Sequence, residues 1–124
     1  MSILVVDDDT DLRSLISDLL TGRGYTVVQA SNGAEALNYL QSADPLPCLI
    51  LLDMTMPVMN GWEFLRARLR DPALAPIPVV VISAFRALAE SVAALGVQEE
   101  LPKPIDPKHL VTLVQQYCPD APSH

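Results

Sequence analysis

The sequence predicts an α/β fold in which a parallel sheet carries helices on both faces. Two observations predict it. The runs Ile3-Leu4-Val5-Val6, Leu49-Ile50-Leu51-Leu52 and Val79-Val80-Val81-Ile82 are aliphatic without polar alternation, the pattern of strands buried on both faces. Between and after them lie stretches with apolar residues at helical spacing, so that strand and helix alternate five times. With 124 residues, half of them hydrophobic, the chain makes one domain, expected over residues 1–118 and followed by a short tail or linker stump at 119–124.

The first strand, Ile3 to Val6, ends in Asp7-Asp8-Asp9. A helix follows with Leu12, Leu15, Ile16, Leu19 and Leu20 on one face; Asp9 is its expected N-cap, Asp11 suits the positive end of its dipole, and Gly22 and Gly24 stop it. Tyr25 to Val28 reads as a strand. Asn32 with Glu35 then makes a capping-box-like start to a short helix carrying Ala36, Leu37 and Leu40. A proline-bearing turn over 42–47 leads to the central strand, Leu49 to Leu52, which ends abruptly in Asp53. After a proline- and glycine-punctuated loop, Asn60 and Glu63 open a helix through Trp62, Leu65 and Leu69. Ile77 and Val79 to Ile82 form a strand ending in Ser83, and a modest helix with Leu88, Val92 and Leu95 is stopped by Gly96. Val97 to Leu101 is a more polar strand, marked as an edge by Pro102 and running into Lys103-Pro104. Asp106-Pro107 is an N-cap with proline at the first helical position, opening a last helix that buries Leu110, Leu113, Val114 and Tyr117.

Composition excludes several classes of function. No apolar run approaches the ~20 residues of a membrane span, and Met1-Ser2-Ile3 enters a strand without the charged start of a signal peptide, so a cytoplasmic address is expected. A net charge of −7 repels phosphate backbones and argues against direct nucleic-acid binding. Cys48 and Cys118 read as two reduced thiols, one of them buried, and no His/Cys cluster has zinc spacing.

Four strands end in polar residues: Asp7-Asp8, Asp53, Ser83 and Lys103. Each alone reads equally well as a helix cap or, for Lys103, a solvated edge charge. In a parallel sheet, however, all these ends share one rim, where open α/β sheets bind ligands. Like charges a few ångströms apart repel by roughly 4 kcal/mol at an effective dielectric near 20, so clustered Asp7, Asp8 and Asp53 call for a hard cation. Oxygen ligands with room for water suit Mg²⁺. A carboxylate beside Mg²⁺ and an ammonium can attack phosphorus, with Ser83 donating to a phosphoryl oxygen, to give an acyl phosphate on Asp53.

The segments Val5-Val6-Asp7-Asp8-Asp9, Leu52-Asp53-Met54-Thr55-Met56-Pro57-Val58-Met59-Asn60-Gly61, Val81-Ile82-Ser83-Ala84 and Lys103-Pro104 resemble, in order and spacing, the CheY-like receiver domain of two-component response regulators. The resemblance implies a flavodoxin-like, doubly wound (βα)5 fold with strand order 2-1-3-4-5. It implies phosphotransfer from a sensor histidine kinase or a histidine phosphotransfer protein, and output through a downstream effector protein. By the same resemblance Asp53 is the phosphoacceptor and Asp8 a direct Mg²⁺ ligand. Asp7 is a ligand through water, and the Thr55 carbonyl is the third protein ligand. Ser83 is the switch hydroxyl, Lys103 contacts phosphate, and the Lys103–Pro104 peptide is cis.

Two positions depart from the family pattern. Glu100 stands where many receivers place a switch aromatic, and since burying a carboxylate is costly, it is expected to stay exposed on a partner-binding face. Phe85 stands where smaller or polar residues are common, either shielding an acyl phosphate from water or packing on the outer surface.

Three other readings compete with this one. Asp7-Asp8-Asp9-Thr10 resembles the signature of haloacid-dehalogenase-type phosphatases, a reading that makes Asp7 the nucleophile and Asp9 the general acid but leaves Asp53 idle. A receiver-like interaction module that never takes phosphate is the second. Flavin binding, the third, lacks a glycine- and hydroxyl-rich phosphate loop after the first strand.

Overall fold

The computed structural model describes residues 2–53, 61–83, 97 and 99–119. Its strands are β1 (Ser2–Val6), β2 (Thr26–Ala30), β3 (Leu49–Asp53), β4 (Val79–Ser83) and β5 (Glu99–Pro102), and its helices α1 (Thr10–Thr21), α2 (Gly33–Ser42), α3 (Gly61–Leu69) and α4 (Pro107–Tyr117). All strand pairs are parallel and the order is β2-β1-β3-β4-β5, as expected for a flavodoxin-like sheet. The helix expected around Leu88, Val92 and Leu95 lies outside the described residues, as do Thr55, Phe85 and the Asn60 cap.

Alternation along the buried strands builds two cores. Ile3, Val5, Leu49, Leu51, Val80, Ile82 and Leu101 pack with Ile16 and Leu20 of α1 and Leu110, Leu113 and Val114 of α4. Leu4, Val6, Ile50, Leu52, Val79 and Val81 pack on the other face with Ala36 and Leu40 of α2 and Phe64 and Leu65 of α3. Every residue of β3 is buried, which is why its sequence shows no polar alternation.

The expected caps form. Asp9 accepts from the amides of Asp11 and Leu12 at the start of α1, and Asp106 accepts from that of Lys108 at α4. Asn32 accepts from the Glu35 amide, while the Glu35 carboxylate accepts from the Ser31 amide, holding the chain on both sides of the cap. Gly24 takes φ 95°, the left-handed backbone that lets the chain turn out of α1 into β2. The Lys103–Pro104 peptide is cis, as the resemblance implied, and so is Asp44–Pro45.

Three expectations need correcting. Tyr25 precedes β2, which runs on to Ala30, and β5 covers Glu99–Pro102 rather than beginning at Val97. The two cysteines are not separate thiols: Cys48 and Cys118 form a disulfide, with Cα atoms 5.8 Å apart. They lie 70 residues apart in sequence, but the start of β3 and the C-cap of α4 meet at the amino-terminal end of the sheet.

Candidate functional site

Strand register decides which chain ends meet. Val6 pairs with Leu52, which brings the next residues, Asp7 and Asp53, level. Asp53 pairs with Ile82, so Ser83 lies one step further along, and Ser83 pairs with Pro102, so Lys103 follows one step beyond. The four strand ends therefore form a staggered row on the carboxyl rim. The β1–α1 loop is held from below, because the Asp7 amide donates to the Ala30 carbonyl at 3.1 Å.

Carboxylate oxygens of Asp7, Asp8 and Asp53 all lie within 4.8 Å of one another. Asp7 is wholly buried and Asp53 nearly so, whereas Asp8 is exposed. Lys103 Nζ stands 3.7 Å from Asp53 Oδ1, an ion pair beside the acidic cluster. Asp7 Oδ1 accepts from the Asp9 amide at 2.9 Å, but Asp7 Oδ2 is enclosed with no hydrogen-bond donor among the described residues. An enclosed carboxylate oxygen without a donor, among other hard oxygens, fits a divalent cation.

Burial pushes the Asp7 carboxyl up to about 7, and the negative charge of Asp53 adds to the rise against the opposing Asp9 amide and Lys103. The folded, metal-free protein thus keeps a proton that the unfolded chain releases near pH 4. Stability is expected to fall as pH rises from about 4 to about 7 and to level off above. Urea unfolding in a chelator across this range should show the decline, and Asp7→Asn should flatten it.

Among the candidate residues, Asp7, Asp8, Asp53 and Lys103 come together, and Ser83 ends β4 on the same rim. Thr55 lies outside the described residues. Glu100 is not on an exposed face: it is half-buried opposite Val81, with Oε2 enclosed and unpartnered among the described residues. Asp9, the general acid of the phosphatase alternative, is instead occupied as the α1 N-cap.

Sequence reasoning passed over Arg13. Its Nη1 donates to the Asp7 carbonyl at 2.6 Å and its Nε to Gln29 Oε1 at 3.0 Å, tying the acidic loop to α1 and β2. The available signal was its place one helical turn after the cap Asp9, close beneath the loop.

No helix among the described residues is long and apolar enough to cross a membrane. Over 98% of its length the chain is 41% identical to an uncharacterized 14.6 kDa protein in the sodA1 3' region of Leptolyngbya boryana, covering 95% of that protein. It spans half or less of the transcriptional regulators it matches, such as CpxR of Escherichia coli, at 36% identity over 91% of this chain and 47% of that one. Its fold superposes on the chemotaxis response regulator CheY4 of Vibrio cholerae with a TM-score of 0.86 at 30% identity, covering 94% of this chain and 97% of that one. The family model for the response regulator receiver domain matches residues 3–115, a span that takes in every strand end of the acidic rim. The chain thus belongs to the response regulator receiver domain family.

Proposed function

We propose that this chain is a phosphoacceptor that takes a phosphoryl group onto Asp53 from a histidine kinase or a histidine phosphotransfer protein, and passes the signal on by protein contact in the cytoplasm. The observation that carries the reading is the meeting of Asp7, Asp8 and Asp53 within 4.8 Å, with Lys103 alongside. The working unit is residues 1–118.

Asp8 and Asp53 would hold Mg²⁺ directly and Asp7 through water, with the Thr55 carbonyl completing the protein ligands. When bound, the cation supplies positive charge that offsets the phosphoryl oxygens. Asp53 is the nucleophile, its carboxylate lying within 4.8 Å of those of Asp7 and Asp8 and 3.7 Å from the Lys103 ammonium. As its oxygen bonds to phosphorus, the bond from phosphorus to the donor's nitrogen or oxygen breaks, and the electron pair leaves with the donor. Lys103 holds charge at the oxygens that gain it, and Ser83 donates to one of them once the aspartyl phosphate has formed. Hydrolysis returns the carboxylate, so no substrate is turned over beyond the domain's own phosphate.

Incubation with Mg²⁺ and acetyl phosphate should add one phosphoryl group, removable by hydroxylamine as expected of an acyl phosphate and blocked by a chelator. Lys103→Ala should slow its formation by about 100-fold, the scale of losing one preorganised charge partner. Mass spectrometry of the intact chain checks both. Steady release of phosphate from many phosphomonoesters, without an adduct, would instead support the phosphatase alternative.

A further inference from the structure

The chain has only two cysteines, and the fold brings both to the end of the sheet remote from the acidic rim. Cys48 directly precedes β3, whose other end is Asp53, so the bridge lies about 16 Å of strand away from the carboxylate. Two hydrogen bonds hold the end of α4 beside the bridge. The Tyr25 hydroxyl donates to the Cys118 carbonyl at 2.9 Å, and the Cys118 amide donates to the Val114 carbonyl at 2.7 Å. Neither bond involves sulfur, so neither is broken by opening the bridge itself. Cys48 Sγ lies 3.2 Å from the Ser2 carbonyl oxygen, a ready acceptor for its S–H in the reduced protein. Exposure is unequal: Cys48 is half-buried and Cys118 fully buried.

We propose that Cys48 and Cys118 are a reversible thiol-modification site, exchanging with small disulfide-bearing molecules of the glutathione type and stapling α4 to β3 when oxidised. Cys48, the less buried of the two residues, reacts first. Its thiolate attacks one sulfur of the oxidant, breaking the oxidant's S–S bond, and one small thiol leaves while a mixed disulfide remains on Cys48. The Cys118 thiolate then attacks Cys48 Sγ, and the second small thiol leaves. The two protein protons end on the two released thiols, and two electrons have passed to the oxidant. The reverse sequence, begun by a small thiolate at Cys48, opens the bridge. The proposal rests on nothing at the acidic rim and stands or falls separately from phosphotransfer.

The test is to equilibrate the full chain in buffers of reduced and oxidised glutathione and count free thiols by maleimide labelling and intact mass. Two thiols should disappear together as the oxidised form increases, without a lasting adduct, and return when the ratio is reversed. The oxidised chain should melt on the order of 10 °C higher than the reduced one, since the bridge closes a long loop. Cys118→Ser should trap one glutathione on Cys48, while folded Cys48→Ser should take none. Persistent labelling of both thiols at saturating oxidant overturns the proposal. So does a bridge that reduced glutathione cannot open in the folded chain, or a glutathione adduct found on Cys118 first.

Discussion

Asp53→Ala is expected to take up no measurable phosphate from acetyl phosphate or from a phosphorylated donor, a loss of more than about a hundredfold in initial rate. Neither neighbouring carboxylate can stand in. Asp7 is wholly buried, with one oxygen accepting from the Asp9 amide, so it is closed off from an incoming phosphoryl donor. Asp8 is exposed and pairs with no ammonium among the described residues, whereas Asp53 has Lys103 at 3.7 Å. The variant should nevertheless stay folded. Asp53 attracts Lys103 across 3.7 Å and repels Asp8, whose carboxylate lies within 4.8 Å; at an effective dielectric near 20 these are each about 4 kcal/mol and opposite in sign. Removing Asp53 therefore changes metal-free stability little, and Asp7, relieved of a neighbouring charge, should titrate lower. Following the Asp7 carboxyl by NMR alongside the phosphorylation assay checks both halves. Wild-type levels of phosphate on the variant would remove Asp53 from its assigned place.

Much of this was legible beforehand because parallel strands announce themselves twice. Burial on both faces forces unbroken aliphatic runs, and the ligand-bearing rim forces those runs to end in polar residues, as at Val6-Asp7, Leu52-Asp53 and Ile82-Ser83. Caps were legible for a similar reason: Asp9, Asn32 and Asp106 each act within three residues of themselves. What escaped was set by distance along the chain. Nothing local to Cys48 or Cys118 says that β3 and α4 meet, and expectation from cytoplasmic chemistry pointed to free thiols. Glu100 was placed on a surface because burying a carboxylate is costly, yet β5 alternation sets it opposite Val81 and encloses one of its oxygens. Arg13 reads as an ordinary polar helix residue until the loop beneath which it donates is drawn.

Arg68→Ala is expected to cost about 4 kcal/mol of stability and lower the melting temperature by about 12 °C, as large an effect as any single substitution away from the acidic rim. A charged side chain on a helix ordinarily reads as solvated, but Arg68 is only 2% exposed and ranks among the largest fully buried side chains. Its guanidinium donates to the Ala75 carbonyl at 2.9 Å and to the Ile77 carbonyl at 3.0 Å from Nη2, with Nε also reaching Ile77 at 3.3 Å. These acceptors belong to the connection between α3 and β4, and the carbonyl that follows them, at Pro78, accepts the Ile50 amide and starts the β3–β4 pairing. Alanine would take the donors from the buried Ile77 carbonyl and the half-buried Ala75 carbonyl, at roughly 1–3 kcal/mol for a buried group, and leave a cavity besides. Opposing this, burial already pushes the guanidinium below its ordinary pKa, so losing the charge returns some desolvation energy. Arg68→Met separates the contributions: it fills the space and removes the charge but supplies no donor. If the carbonyls dominate, methionine should recover less than half of the loss in chemical denaturation; if desolvation dominates, it should equal or exceed wild type. Because the pairing that Arg68 secures also sets Asp53 level with Ile82 and Ser83 one step beyond, a loosened connection would be felt on the rim as slower phosphorylation, even under conditions where the chain remains folded.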